Sequence, residues 1–352
     1  MQANALAEAI HGSYIPRVPP DILLVRFSAM GDIILTTPLI RAIRARHPGA
    51  TLTYVTKSLY APLLARSPHL NEVIGWEPGL PLADLAARLA GRSFTHRLDL
   101  HRSLRSRLLR LRLGGRWTSY PKHRIARGVL IRTKRDVYRD RRHVVERFFD
   151  AAGDLDVTPD ARPAECFVSA GSVEAAGRFL AERDIGTSRQ LIALAPGSAH
   201  ATKRWPLHHW VDLAHRLAGL GNDLVLVGGS GEAEVAARIA ETAGVRAALA
   251  TGPFDLEGTA ALLKRCRALI AGDTGVMHLA TAVGTPLVAL IGPTVRQFGY
   301  FPYQAKAVVL EKDLPCRPCS AYGSKACPLS HHRCMQDLMP EEVVDALRKL
   351  PR

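Results

Sequence analysis

Asp32 closes the run Ser28-Ala29-Met30-Gly31-Asp32, directly after the apolar stretch DILLVRF (21–27). A carboxylate where a strand turns into a helix sits near the positive end of the helix dipole, which favours its ionised form. Two readings fit it. It can cap the helix, the commoner duty of Asp there, or it can take a proton from a hydroxyl, and one carboxylate has oxygens enough for both. Gly272-Asp273-Thr274-Gly275-Val276-Met277-His278 repeats the pattern of strand, small residues and helix. The N–H groups of Thr274 and Gly275 would be free to bind a pyrophosphate. His278 lies one turn in and is either a ligand of the same region or a packed helix histidine. In PGSAHATKRWP (196–206), Lys203 or Arg204 could neutralise charge growing on a departing diphosphate, or both could be solvated loop cations. Glu232, in Gly228-Gly229-Ser230-Gly231-Glu232, could accept hydrogen bonds from ribose hydroxyls.

Four of the six cysteines, Cys316, Cys319, Cys327 and Cys334, fall within residues 316–334. A thiolate tetrad suits structural zinc or iron. The CxxC half is typical, while the other two thiols are spaced more tightly than in most zinc ribbons, so reduced thiols or a redox pair remain open. Cys166 and Cys266 read as core residues.

Elements of two kinds must position these groups. Strands are expected at 21–27, 51–56, 71–76 and 94–100, with helical stretches between them, the first being IILTTPLIRAIRARH (33–47). A stretch rich in proline and acids, TPDARPAE (158–165), reads as a hinge. Beyond it, LIALAPGS, DLVLVGGS, ALIAGDTG and PLVALIGPT are four units of strand and turn. Alternating strands and helices imply βαβ units and parallel sheets. The expected organisation is therefore α/β, with one Rossmann-like domain over 1–160 and another over 161–352. Their carboxyl edges would face a central cleft, where ligands bind in such sheets. The last helix, PEEVVDALRKL, has acids first and bases last and is free to return to the first domain.

Length and composition agree with two ordinary domains: 352 residues, 47% hydrophobic and 22% charged. Residues 1–21 have neither a basic n-region nor a continuous apolar h-region, so the expected compartment is the cytoplasm. Absence of GxxxxGK[ST] excludes a P-loop NTPase, and no GxGxxG follows the first strand. The charge is lopsided. Residues 92–147 hold 18 Lys/Arg against four acids, which is +14 of the chain's +15. Such asymmetry points to a polyanionic partner, or else to helices solvated by arginine.

Taken in order, SAMGD with its TTP helix, PGSAHATKRWP, GGSGE, GDTGVMHLA and PLVALIGPT resemble the ADP-heptose:lipopolysaccharide heptosyltransferases over residues 21–345. The Cys-rich tail CRPCSAYGSKACPLSHHRCM is similar to that of the heptosyltransferase II branch. The resemblance implies a GT-B fold and an inverting transfer from ADP-heptose, held mainly by the C-terminal domain. The acceptor would be the Kdo-lipid A inner core of lipopolysaccharide, an anionic precursor held mainly by the N-terminal domain. Asp32 would be the general base and Lys203 the contact to the donor phosphates. Ser198, Thr202, Glu232, Asp273, Thr274, Gly275 and His278 would line the donor site, with Glu234 an alternative to Glu232. Arg105 and His143 would meet the acceptor. No cofactor is expected for catalysis, because fixed cations and helix dipoles can serve the diphosphate. The basic stretch would bring the protein to anionic lipid on the cytoplasmic face of the inner membrane, with no nucleic acid partner. Two alternatives stand beside this: a transferase with another nucleotide sugar or a protein acceptor, and a non-enzymatic binder of nucleic acid or anionic membrane through 92–147.

Overall fold

The computed structural model describes residues 19–351, so the expectation of no secretory leader in the first 21 residues falls almost wholly outside them. Strands β1 (Asp21–Val25), β2 (Thr51–Lys57), β3 (Glu72–Trp76), β4 (His96–Asp99) and β5 (Thr118–Ser119) form one sheet in the order β3-β2-β1-β4-β5. Strands β6 (Leu191–Ala195), β7 (Asp223–Gly228), β8 (Ala247–Thr251), β9 (Ala268–Gly272), β10 (Leu287–Ile291) and β11 (Ala307–Glu311) form a second, in the order β11-β10-β9-β6-β7-β8. Every pairing is parallel, with Val25 opposite Val55 in the first sheet and Ile192 opposite Ala268 in the second. The central strands are buried along their length, LIALA, ALIAG and LVALI completely. Continuous apolar runs are what a parallel sheet covered on both faces requires.

Both sheets reverse their direction of growth once. The chain lays β2 and β3 to one side of β1 and then places β4 on the other; β6 and β9 meet in the same way. Loops leaving the two strands at such a point diverge and open a crevice. Asp32 follows β1, Lys203 follows β6 and Asp273 follows β9.

Three strands, β5, β8 and β11, were not expected. β5 has two residues; β8 (AALAT) is an edge strand whose alanines carry no β signal, and β11 is the opposite edge. The expected helix over 33–47 is two, Met30–Ile34 and Thr37–Arg46. At the break, the Thr36 and Thr37 hydroxyls donate to the carbonyls of Ile33 (2.7 Å) and Ile34 (2.8 Å), and Pro38 follows. Threonine hydroxyls that bond back in this way compete with helix continuation. The last helix, Pro340–Arg348, does not return to the first domain. It packs on the Leu207–Gly219 helix and on β10 and β11, with Val343 and Ala346 in one core with Trp205 and Trp210.

The stretch 158–165, expected as a hinge, is fastened to the first domain. Arg41 grips Asp160 through Nε (2.7 Å) and Glu165 through Nη1 (2.7 Å), and also donates to the Pro163 carbonyl. Glu165 receives His69 as well (2.9 Å).

Candidate active site

The turn after β1 starts the Met30–Ile34 helix, with Ala29 as its N-cap and Asp32 as its third residue. One Asp32 oxygen accepts from the Ala29 N–H (3.5 Å), and the other lies 2.8 Å from Nη2 of Arg26. Asp32 thus closes the helix start and keeps an open face, its side chain 25% exposed against 4% for Arg26. Arg26 lies just beyond β1. Its Nη1 donates to the Leu100 carbonyl and to the Tyr120 hydroxyl (3.4 Å), and its guanidinium stands over the Phe148 ring. Burial opposes its charge, but the Asp32 carboxylate and Tyr120 outweigh burial and hold the proton more tightly than usual.

Across the interdomain seam, Lys203 Nζ is 2.7 Å from Oδ2 of Asp273 and also donates to the Asp273 carbonyl (3.2 Å). The Thr294 hydroxyl donates to the same Oδ2 (2.7 Å). Burial pushes the Asp273 carboxyl up, yet Lys203 and Thr294 leave it below the usual carboxylate range. Thr274 is the N-cap of the Gly275–Ala282 helix. The Thr274 hydroxyl and Nδ1 of His278 are buried without a protein partner. Burial pushes the His278 ring down, against the pull of Asp273 and Asp32, so it is neutral near pH 7. Polar atoms left unpaired at a cleft wall are suited to a ligand.

The two halves meet glycine to glycine. A methyl built on Gly31 would sit 2.5 Å from Cδ2 of His278, and one built on Gly275 would collide with Met30. This close approach brings Asp32, Lys203, Asp273, Thr274, Gly275 and His278 onto one cleft of about 700 Å³, counting its open mouth. Thr294 and Tyr322, which lie inside quoted motifs but were not named for the site, and Phe298 and Tyr300, which lie in none, also line it. Arg26 was missed too. Its only signal is a cation at the end of an otherwise apolar run.

Other expected site residues lie elsewhere. Ser198 and Glu232 line an adjoining pocket with Arg204 and Glu234. Glu232 accepts from the Gly229 N–H (2.5 Å) and lies against Gly197 and Gly228, where a side chain would collide with it. Thr202 is buried and exchanges hydrogen bonds with Ser324, fixing the Cys-rich loop to the Lys203 turn. Arg105 is exposed and lies over Trp76 at 4.9 Å. His143 is inside the interdomain packing: Nδ1 accepts from the Val145 N–H, Nε2 donates to the Phe301 carbonyl (2.8 Å), and the ring stacks on Tyr303. Burial pushes it down to about 3, so it presents no positive charge to an acceptor.

The expected zinc or iron finds no cage. All six cysteines are free, and among the described residues no group of three or more His, Cys, Asp or Glu converges to hold a metal. Cys334 is buried, and burial with its neighbouring thiols raises it to about 11. The loop is organised by Arg317 instead, which donates to the carbonyls of Gly292 (2.6 Å), Thr294 (2.8 Å) and Lys312, and pairs with Glu311.

The family described as glycosyltransferase family 9 (heptosyltransferase) matches residues 82–329. Lipopolysaccharide heptosyltransferase 2 of Salmonella typhimurium is 28% identical, over 94% of this chain and 98% of its own. The glycosyl transferase family 9 structure from Veillonella parvula superposes with a TM-score of 0.78 at 26% identity, covering 94% of this chain and 96% of that one. ADP-heptose lps heptosyltransferase II of E. coli gives 0.72 at 26% identity, over 93% and 97%.

Proposed function

Because the chain belongs to glycosyltransferase family 9, the heptosyltransferases, and is a glycosyltransferase of GT-B architecture, we propose that it moves heptose from ADP-L-glycero-D-manno-heptose to a lipopolysaccharide inner core, inverting the anomeric centre. The observation that carries this reading is the pairing of chemistries across the seam. A carboxylate with an open face stands on the first domain, and a cation with a helix N-terminus stands on the second.

In this reading the first domain holds the acceptor and the second the donor. Asp32 removes the proton from an acceptor hydroxyl as the oxygen attacks the anomeric carbon from the face opposite ADP. The bond from that carbon to the diphosphate oxygen breaks, and negative charge gathers on the departing ADP. Lys203 and the N–H groups at the start of the Gly275 helix meet that charge. Arg26 holds the Asp32 carboxylate toward the cleft, and neutral His278 can donate or accept one hydrogen bond there. Ser198 and Glu232 serve the nucleoside end from the adjoining pocket. Fixed groups meet the diphosphate, so no divalent ion is required; activity lost in chelator and restored by magnesium would contradict this. A lipid-linked acceptor puts the work of the enzyme at the cytoplasmic face of the inner membrane. Among the described residues no helix is long and apolar enough to cross a membrane.

A donor screen tests the reading. Thermal stabilisation should be largest with ADP, and greater stabilisation by UDP or GDP would replace ADP-heptose with another nucleotide sugar.

A further inference from the structure

The Leu104–Leu113 helix turns a row of leucines to solvent. Leu104 is 75%, Leu108 40% and Leu111 80% exposed, while Ser106 and Leu109 on the opposite face are buried. At 3.6 residues per turn, Leu111, Leu104 and Leu108 fall within an arc of roughly 60°. Arg107 borders that arc on one side, Arg112 and Arg105 on the other, all three exposed. A helix that covers a core has no need of this outward face, since its inner leucines already bury against the sheet.

The row continues past one helix. Arg124 donates to the Arg102 carbonyl (3.2 Å), which brings the start of the Arg124–Thr133 helix beside the start of the Leu104 helix. Ile125 there is 85% exposed. Leu104 and Ile125 follow β4 and β5; exposed Leu59 and Leu80 follow β2 and β3. In the sheet order β3-β2-β1-β4-β5, these residues mark one rim at the carboxyl edge, the same edge from which Asp32 faces the cleft.

We propose that the Leu104–Leu111 stripe with its arginine borders is a docking surface for an anionic bilayer, seating the first domain on the membrane with the cleft at the headgroups. This rests on the reading that the acceptor is lipid-linked, and it names the surface that reaches it. Leucines enter the headgroup and acyl boundary, and arginines flank them at the phosphates. The charge selects this occupant. A second copy of the chain docked face to face would set the arginines of one copy against those of the other. Residues 92–147, which include the helix, carry +14.

Co-sedimentation of the full chain with vesicles tests the surface. Vesicles of equal parts phosphatidylglycerol and phosphatidylcholine should bind it at physiological salt, and vesicles of phosphatidylcholine alone far less. The triple variant Leu104→Ser/Leu108→Ser/Leu111→Ser should weaken binding about tenfold. The double variant Arg107→Gln/Arg112→Gln should weaken it about twenty-five-fold, at about fivefold for each charge near the surface. Leu220→Ser, on the second domain, should bind as wild type. All these variants should keep the wild-type melting temperature and the wild-type rate on a delipidated, water-soluble acceptor. Equal binding of the wild type to both vesicles, or undiminished binding by the triple serine variant, would overturn the surface. So would a dimer in solution that the serine variant dissolves. Vesicle binding without heptose transfer would instead sink the transferase reading and leave the surface standing.

Discussion

Asp32 and Arg26 are unequal partners: the carboxylate reaches the cleft and the guanidinium is sealed behind it. Asp32→Asn keeps the shape and removes the carboxylate proposed as the base. Its turnover should fall by roughly 10²–10⁴-fold, the usual size of general-base catalysis, with ADP affinity unchanged by calorimetry. An unchanged turnover would remove Asp32 from the mechanism. His143 offers a test of another kind. Its folded pKa, about 3, lies below the 6.5 of a free histidine. Between those values the unfolded chain binds a proton that the native chain refuses, so stability is lost as pH falls through that window. His101, lowered to about 4 by burial and by Arg26, adds to the same slope. Melting temperature should therefore drop from pH 7 to pH 5 in the wild type and drop less steeply in His143→Gln; equal slopes would refute the assignment. At this scale position was most legible in turns that follow strands, as at Asp32, Asp273 and Thr274, which the fold brings onto one cleft. Arg26 was hidden because its meaning depends on the path of the chain through Ser28 and Ala29. His143 resembled an acceptor ligand until its two ring nitrogens proved to be occupied.

The Met30–Ile34 and Gly275–Ala282 helices belong to different domains yet nearly touch backbones, which only glycine at 31 and 275 permits. Gly275→Ala forces Met30 aside. Such overpacking should cost about 1–3 kcal/mol in chemical denaturation, and activity should fall further as Asp32 and Lys203 separate. A variant as active and as stable as the wild type would show that the seam is loose. The Cys-rich loop makes a second case. Arg317 holds the Thr294 carbonyl, Thr294 holds Asp273, and Asp273 holds Lys203. Arg317→Met leaves the buried carbonyls of Gly292 and Thr294 unanswered and should destabilise by about 2–3 kcal/mol, with Arg317→Lys recovering part of the loss. The thiols drew attention to this loop because cysteines cluster visibly in a sequence, but nothing local marks an arginine as the organising residue. Central strands were readable for the opposite reason, since burial on both faces leaves an unbroken apolar run. The edge strands β5, β8 and β11 are short or half-exposed: β5 has two polar residues, and the runs AALA and AVVL of β8 and β11 are only partly buried.

Two α/β domains and a basic first half could be read from one-dimensional patterns, because each is a bulk property. Where the last helix packs could not, since its amphipathic face fits either domain and only the space left on β10 and β11 decides. The grip of Arg41 on Asp160 and Glu165 also lies outside any local pattern. Arg41→Ala should expose the 158–165 stretch to limited proteolysis at a rate clearly above the wild type, and identical digestion patterns would show that the stretch is held by other means. The grip has a mechanical meaning. A linker bolted to one domain along most of its length moves as part of that domain. Any swing of the two halves about their glycine seam must then take its fulcrum beyond Glu165, where the Cys166 N–H already bonds to the Ala282 carbonyl at 2.9 Å. A rotation about that point changes the distance between Asp32 and Lys203 directly, because each belongs to one of the two halves.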